Sequence, residues 1–348
     1  MTATHETNGQ PHTPIALTGA TGFLGRRTAA ALVRDGHRIR CLLRGSSDEH
    51  PLREAVAAVG RNDAIEIVRL DFRDAAAVRD ALAGCRTLAH LAAGLSGSAS
   101  TLFASGAVAT RHLLHAAADA EVGRVVLISS LGVYEASGLA RGAEQTEATP
   151  VDRRAADRDP YSYSKIVQER VAREVAAERG LELVVLRPGV IFGEGRPAIA
   201  SRAGLTLGGL LVQMGGRQQM PYTYVENCAD AIAAAAVSEA AAGETINILD
   251  DDLPTASELV RHVRRFGKRV RRVWVPGPLV PTMCGLYHAY SRWSGGQLPP
   301  VLTAYRARSM WRPVRYSNRR AKELLGWSPR VPMDEALRRT VEAERRLR

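Results

Sequence analysis

The chain has 348 residues, 45% of them hydrophobic, with a formal net charge of +11 and a pI near 10. That length can bury a large core with a smaller unit appended, while no stretch offers the roughly 18–20 uninterrupted apolar residues of a membrane span; the nearest, 273–290, is broken by Pro276, Pro278 and Pro281. Cys41, Cys85, Cys228 and Cys284 follow no zinc-ligand spacing and the nine histidines give no i, i+4 pair beside a carboxylate, so a reduced, cytoplasmic protein without a metal is expected. Residues 1–13 are polar, lack the basic and apolar regions of a signal peptide, and are predicted to be a disordered tail. The stretch IALTG is a predicted strand, FLGRRTAAALVRDG a helix and HRIRCLLRG a second strand. AIEIVRLD (strand), AAAVRDALAG (helix), TLAHLAAG (strand), 101–122 (helix), VVLISS (strand), 161–179 (helix) and LELVVLRPGVIF (strand) continue the alternation. Apolar strands buried on both faces and joined by helices make the class α/β, a doubly wound parallel sheet of the Rossmann type.

Regularity fades after Phe192, and the glycine-rich segment 193–220 has no clear strand. YTYVENCADAIAAAAVSEAA returns to strand and then helix, ETINILDD is one more strand, and helices with Pro-Gly loops follow from Pro254. The expected division is a nucleotide-binding core, 14–192 plus 222–250, and a smaller substrate lobe, 193–221 plus 251–348, over the carboxyl edge of the sheet. The densest basic run, RHVRRFGKRVRR at 261–272, carries no nucleic-acid motif and reads as a solvated helix face. No nucleic-acid partner is expected.

TGATGFLG, 18–25, lies between the first strand and the first helix. Gly19 permits a tight turn, Gly22 a close approach to a pyrophosphate, and Gly25 close packing of helix on strand. The helix N-terminus adds unpaired N–H groups and positive dipole. Gly19, Thr21, Gly22, Phe23, Leu24 and Gly25 are therefore the candidate phosphate contacts of a dinucleotide. The second strand ends in Arg44 rather than in the acidic residue that would hold a ribose 2′-OH, which favours NADP(H) over NAD(H), with Arg26 and Arg40 as possible helpers. Asp71, followed by Phe72, ends the third strand where it would accept from an adenine amino group, unless it caps the helix starting at Ala75.

In DPYSYSK, 159–165, Asp159 is a good N-cap and Pro160 a good first helical residue, so Tyr161 and Lys165 share one helix face. A lysine ammonium beside the phenol is expected to lower the tyrosine pKa and make Tyr161 a general acid or base. Tyr163 points elsewhere and reads as packing. Ser129 and Ser130 end the VVLISS strand, where a hydroxyl can meet a substrate oxygen.

Taken together, Thr18 to Gly25, Leu91-Ala92-Ala93, Ser130, Tyr161-x-x-x-Lys165 and Arg187-Pro188-Gly189 resemble the extended short-chain dehydrogenase/reductase superfamily, the NAD-dependent epimerase/dehydratase family. The resemblance implies that Tyr161 exchanges a proton with the substrate oxygen, that Lys165 holds the nicotinamide ribose and tunes Tyr161, and that Ser130 positions the substrate. It implies cofactor contacts at Leu91, Ala92 and Ala93 and a nicotinamide lined by Pro188, Gly189 and Val190, and Arg44 matches an NADP-selecting arginine. The tail resembles the 3β-hydroxysteroid dehydrogenase-like branch through Tyr316, Ser317, Ala321, Lys322, Leu325, Gly326, Trp327 and Pro329, read as structural. Nucleotide-sugar enzymes of the family usually carry a diphosphate-gripping arginine where this chain has Gln219-Met220-Pro221, and the family's Tyr-Gly-Pro is here Phe192-Gly193-Glu194. The segment 274–293 reads as core packing in preference to a membrane-surface contact. An oxidoreductase moving a hydride between nicotinamide and a secondary alcohol or ketone is expected, with a small-molecule substrate and, by resemblance, a homodimer. The alternatives are a nucleotide-sugar epimerase or 4-ketoreductase and a non-catalytic NADP-binding regulator.

Overall fold

The computed structural model describes residues 13–94, 97–294 and 302–346. All of the predicted disordered tail except Thr13 lies outside them. In chain order the elements are β1 (Ile15–Thr18), α1 (Gly25–Arg34), β2 (Ile39–Leu43), α2 (His50–Ala57), β3 (Ile65–Arg69), α3 (Ala75–Leu82), β4 (Thr87–His90), α4 (Ala99–Phe103), α5 (Ala109–Asp119), β5 (Arg124–Ile128), β6 (Glu144–Gln145), α6 (Pro160–Arg179), β7 (Glu182–Pro188), β8 (Val190–Phe192), β9 (Gly204–Leu207), β10 (Leu210–Met214), β11 (Tyr222–Tyr224), α7 (Val225–Val237), β12 (Thr245–Ile248), α8 (Ala256–Arg265), β13 (Arg271–Val275), α9 (Val280–Trp293), α10 (Ala304–Trp311), β14 (Arg315–Tyr316), α11 (Arg319–Leu325) and α12 (Met333–Arg346).

Seven parallel strands form the main sheet in the order β12-β7-β5-β4-β1-β2-β3. Alternate residues of each strand feed two cores: Leu17, Cys41, Ala89, Val126 and Val184 enter one, under α1, α2 and α7, whereas Ala16, Leu42, Leu88, Val125 and Val185 enter the other, under α3, α5 and α6. This two-sided burial explains why the strands read as apolar runs without polar alternation. The chain builds β1, β2 and β3 outward in one direction and then crosses to β4 and beyond. The order therefore reverses between β1 and β4, and a crevice opens there at the strands' carboxyl ends.

The segment 193–220 does contain strands, β9 and β10, which pair antiparallel across Gly208 and Gly209. Both glycines have positive φ, 52° and 81°, so Gly-Gly between two apolar runs was a hairpin signal. β13 extends this small sheet in parallel with β10. The tail also departs from the expected division. Ala321 and Trp327 sit in the same core as β1 and α7, and the Trp327 indole donates to the Asn227 carbonyl at 3.0 Å. This tail segment thus clamps the main sheet. α9 is buried at Val280, Cys284 and Ser291, while Leu286 and Trp293 are 69% and 81% exposed, so packing accounts for one side of the 274–293 segment. Among the described residues no helix is long and apolar enough to cross a membrane.

Asp250, just past β12, is buried and accepts from the Tyr224 amide at 2.8 Å and the Asn227 side chain at 3.1 Å. Burial nevertheless pushes its carboxyl up to about 7. In the unfolded chain it would ionise near 4, so between about pH 4 and 7 the folded state binds the extra proton and stability falls as pH rises. Replacing Asp250 by Asn is expected to flatten that part of the Tm-against-pH curve, measured by thermal denaturation from pH 4.5 to 7.5.

Candidate functional site

The turn after β1 is a cradle shaped by missing side chains. Gly19 has φ of 73°, and a Cβ there would lie 2.8 Å from the Ala92 amide nitrogen. A Cβ on Gly25 would overlap the Gly19 carbonyl, and one on Gly22 would stand 3.1 Å from the same oxygen. The Gly22 amide closes the turn onto Gly19 at 3.0 Å, and α1 begins at Gly25 with no side-chain cap; the Arg26 amide is taken by the Gly22 carbonyl at 3.1 Å, which leaves the Gly25 amide and the helix dipole for a ligand. Thr21, Phe23 and Leu24 complete the bend. Leu91 and Ala92 form the opposite wall, their amides bonding the Thr18 carbonyl at 3.3 Å and the Thr18 hydroxyl at 3.4 Å, and Ala93 continues it. These residues fit the pyrophosphate of a dinucleotide.

Arg44 is exposed at the end of β2 and makes no ion pair among the described residues. The loop that presents it is shaped by Arg69, which donates to the carbonyls of Arg44, Gly45 and Ser47 at 3.4, 3.0 and 3.1 Å and to Glu49 at 2.9 Å. Arg40 is turned away: Glu66, at 2.7 Å, and the carbonyls of Ala81 and Ala83 hold it against the neighbouring strand and α3, so it leaves the list of helpers. Asp71 is exposed and tied to Arg73 at 2.6 Å, which holds its carboxyl down at about 2. The helix at Ala75 is capped by Asp74 instead, and Phe72 packs against the core beneath α3.

Asp159 caps α6 through the Ser162 amide at 2.7 Å, with Pro160 in the first turn. Tyr161 lies within electrostatic reach of Ser130, whose hydroxyl accepts from the Gly132 amide at 3.0 Å. Tyr163 is on the exposed side, edge-on to Phe103 at 5.2 Å, a packing role as predicted. The electrostatics differ from expectation. Burial pushes the Tyr161 phenol up, opposed by Ser130, which draws it down, and by Arg196. Lys165 does not offset this, because its ammonium turns to the Ile128 carbonyl at 2.8 Å and to Gln168 Oε1 at 2.9 Å. Burial pushes Lys165 itself down to about 8, with Glu169 pulling the other way.

Behind Lys165 a buried polar chain was not foreseen. Gln168 Nε2 donates to the Thr110 hydroxyl at 2.8 Å, Thr110 meets His90 Nε2 at 2.9 Å, and His90 Nδ1 meets the Thr18 hydroxyl at 2.8 Å. Burial holds His90 down at about 3, so it is neutral and links one donor to one acceptor. The chain joins the helix bearing Tyr161 and Lys165 to Thr18, at the start of the glycine turn after β1. Pro188, Gly189 and Val190 also flank the crevice. The Gly189 and Val190 amides are spent on the Ile248 and Pro221 carbonyls at 3.0 and 2.6 Å, so these residues offer shape rather than donors. Arg196, from the glycine-rich segment after β8, lies over the Phe23 ring at 4.8 Å. Among the described residues no cluster of three His, Cys, Asp or Glu side chains could hold a metal.

Residues 15–248 match the NAD dependent epimerase/dehydratase family. A 2-alkyl-3-oxoalkanoate reductase of Stenotrophomonas maltophilia is 28% identical over 93% of this chain and 97% of its own. The sterol demethylase protein B of Methylococcus capsulatus is 34% identical, with 53% of this chain and 54% of that protein aligned, so the match spans about half the length of that relative. The UDP-glucuronic acid 4-epimerase of Bacillus cereus, solved in complex with NAD, superposes with a TM-score of 0.70 at 19% identity over 96% of this chain and 99% of that one. That last likeness is one of fold.

Proposed function

Because the chain belongs to the NAD dependent epimerase/dehydratase family, we propose that it is a nicotinamide-dependent oxidoreductase interconverting a secondary alcohol and a ketone, with NADP(H) preferred. The observation that carries the reading is the placement of Tyr161 and Lys165, four residues apart in the first turns of α6, with Ser130 at the carboxyl end of β5 close enough to act on the phenol's ionisation. When bound, the cofactor supplies or takes the hydride. The turn 19–25 and the α1 N-terminus would hold its pyrophosphate, Arg44 its 2′-phosphate, and Lys165 its nicotinamide ribose. Ser130 holds the substrate oxygen, and Tyr161 gives it a proton as the carbonyl is reduced or takes one as the alcohol is oxidised. A partly buried phenol with a raised pKa is protonated at neutral pH, which suits the reductive direction.

Support for NADP(H) is the unpaired Arg44 with no acidic residue beside it at the end of β2. Replacing Arg44 by Ala is expected to weaken NADPH binding by about tenfold or more, the worth of a charged hydrogen bond, and to leave NADH binding nearly unchanged. Titration calorimetry with both cofactors checks this, and equal losses would remove the preference. Thermal stabilisation by UDP or TDP with NADPH present tests the nucleotide-sugar alternative, since a ligand of the folded state raises Tm. A shift with either nucleotide would move that alternative ahead.

A further inference from the structure

Arg196 occupies a place that no role in cofactor binding or proton transfer explains. Its guanidinium stacks on Phe23 at 4.8 Å, and it is close enough to Tyr161 for the two to perturb each other's ionisation. It is partly buried, yet among the described residues it forms no ion pair. The neighbouring arginine that shares the Phe23 ring, Arg27 at 4.9 Å, is satisfied by the Phe23 and Glu194 carbonyls at 3.2 and 2.9 Å. Arg196 has no such outlet.

Nor is it a loose surface side chain. The loop bearing it is closed on itself by the Arg196 amide, which donates to the Gly193 carbonyl at 2.8 Å, and is tied to its surroundings by the Glu194 carboxylate, which accepts from the buried Tyr224 hydroxyl at 2.8 and 3.0 Å, and by the Ala198 amide, which donates to Glu344 at 2.9 Å. Gly195 has φ of 102°, and a Cβ there would sit 3.7 Å from Arg26 and 3.8 Å from Phe23, so the loop lies directly against the phosphate turn. The strap therefore holds a partly buried cation, without an ion pair among the described residues, against the phosphate turn and within electrostatic reach of Tyr161. Such a charge is costly without an anion. Neutral ligands would leave it unpaired.

We propose that Arg196 binds a carboxylate of the substrate, and that the substrate is an oxo acid or hydroxy acid whose carboxylate lies within a few bonds of the reacting carbon. The assignment rests on the oxidoreductase reading for the identity of that carbon, though the anion site itself does not. Binding of the carboxylate fixes the carbon skeleton against the strap and sets the carbonyl oxygen toward Ser130 and Tyr161. A planar guanidinium suits this through paired hydrogen bonds.

The test uses 3-hydroxyoctanoate and its methyl ester as probes, with the intact protein held as a dead-end complex with NADPH. The acid is expected to raise Tm and the ester much less. Replacing Arg196 by Gln should reduce the preference for acid over ester by about tenfold or more, Arg196→Lys should restore part of it, and NADPH affinity should stay as in the wild type. Equal stabilisation by acid and ester in the wild type would overturn the proposal. So would an Arg196→Gln variant that loses affinity for NADPH itself, because the arginine would then serve the cofactor's pyrophosphate. Selective binding of the acid with no oxidation of it by NADP+ would leave the anion site standing and bring down the oxidoreductase reading instead.

Discussion

Replacing Tyr161 by Phe is expected to lower kcat/KM for any alcohol or ketone turned over by the protein by roughly 10²–10⁴-fold, the span attributed to a positioned proton donor. The change removes one hydroxyl from a ring that otherwise keeps its place on α6, so Tm and stabilisation by NADPH should stay close to wild type. The Ser130 hydroxyl keeps its bond from the Gly132 amide and is not orphaned by the loss. Replacing Ser130 by Ala should cost less than losing the phenol, since the proton donor remains. A Tyr161→Phe protein with full activity would remove the acid–base role, whatever happened to cofactor binding. A variant that lost NADPH binding as well would point to a structural role for the phenol.

Burial, and not Lys165, dominates the ionisation of the Tyr161 phenol, so a proton donor rather than a phenolate is expected. The sequence placed Tyr161 and Lys165 on one face correctly, because an Asx-type cap and a first-turn proline fix where α6 begins. What four-residue spacing could not reveal is which acceptor takes the ammonium. Lys165 reaches the Ile128 carbonyl, an atom defined by the end of β5 and invisible in any helix pattern. The phosphate turn was legible because glycine is demanded by close backbone approach, here of Gly19 to Ala92 and of Gly25 to Gly19. The strands were legible because two-sided burial writes continuous apolar runs. Arg196 and the small sheet were missed for a common reason: in 193–220 glycines obscure the period of the pattern, and only the paired glycines at 208 and 209 mark the hairpin. Arg40 shows the opposite error, a charge near the right strand that its neighbours β3 and α3 had already claimed.

The largest stability effect is expected at Glu169, one turn beyond Lys165. Its carboxylate takes two hydrogen bonds from Arg187, at 2.9 and 2.6 Å, with both side chains about 95% buried. The guanidinium also lies over the Tyr134 ring at 4.5 Å. Truncating Glu169 to Ala leaves a buried guanidinium with only the ring face for company, a loss of about 3–5 kcal/mol for a broken buried pair. For a chain of this size that amounts to a fall in Tm of roughly 10 °C. A double replacement, Glu169→Met with Arg187→Met, removes both charges and should recover a substantial part of the loss, because the penalty comes from the unpaired charge and not from the missing contact. If the double variant is no more stable than Glu169→Ala, packing rather than charge dominates. The same carboxylate opposes the effect of burial on Lys165, so its removal should also push the lysine further down. Glu169 thereby joins the stability of the β7–α6 contact to the charge state of Lys165. A Glu169→Gln variant, which keeps the shape and one acceptor, separates these effects: it should retain more stability than Ala while still lowering the pH at which Lys165 loses its proton.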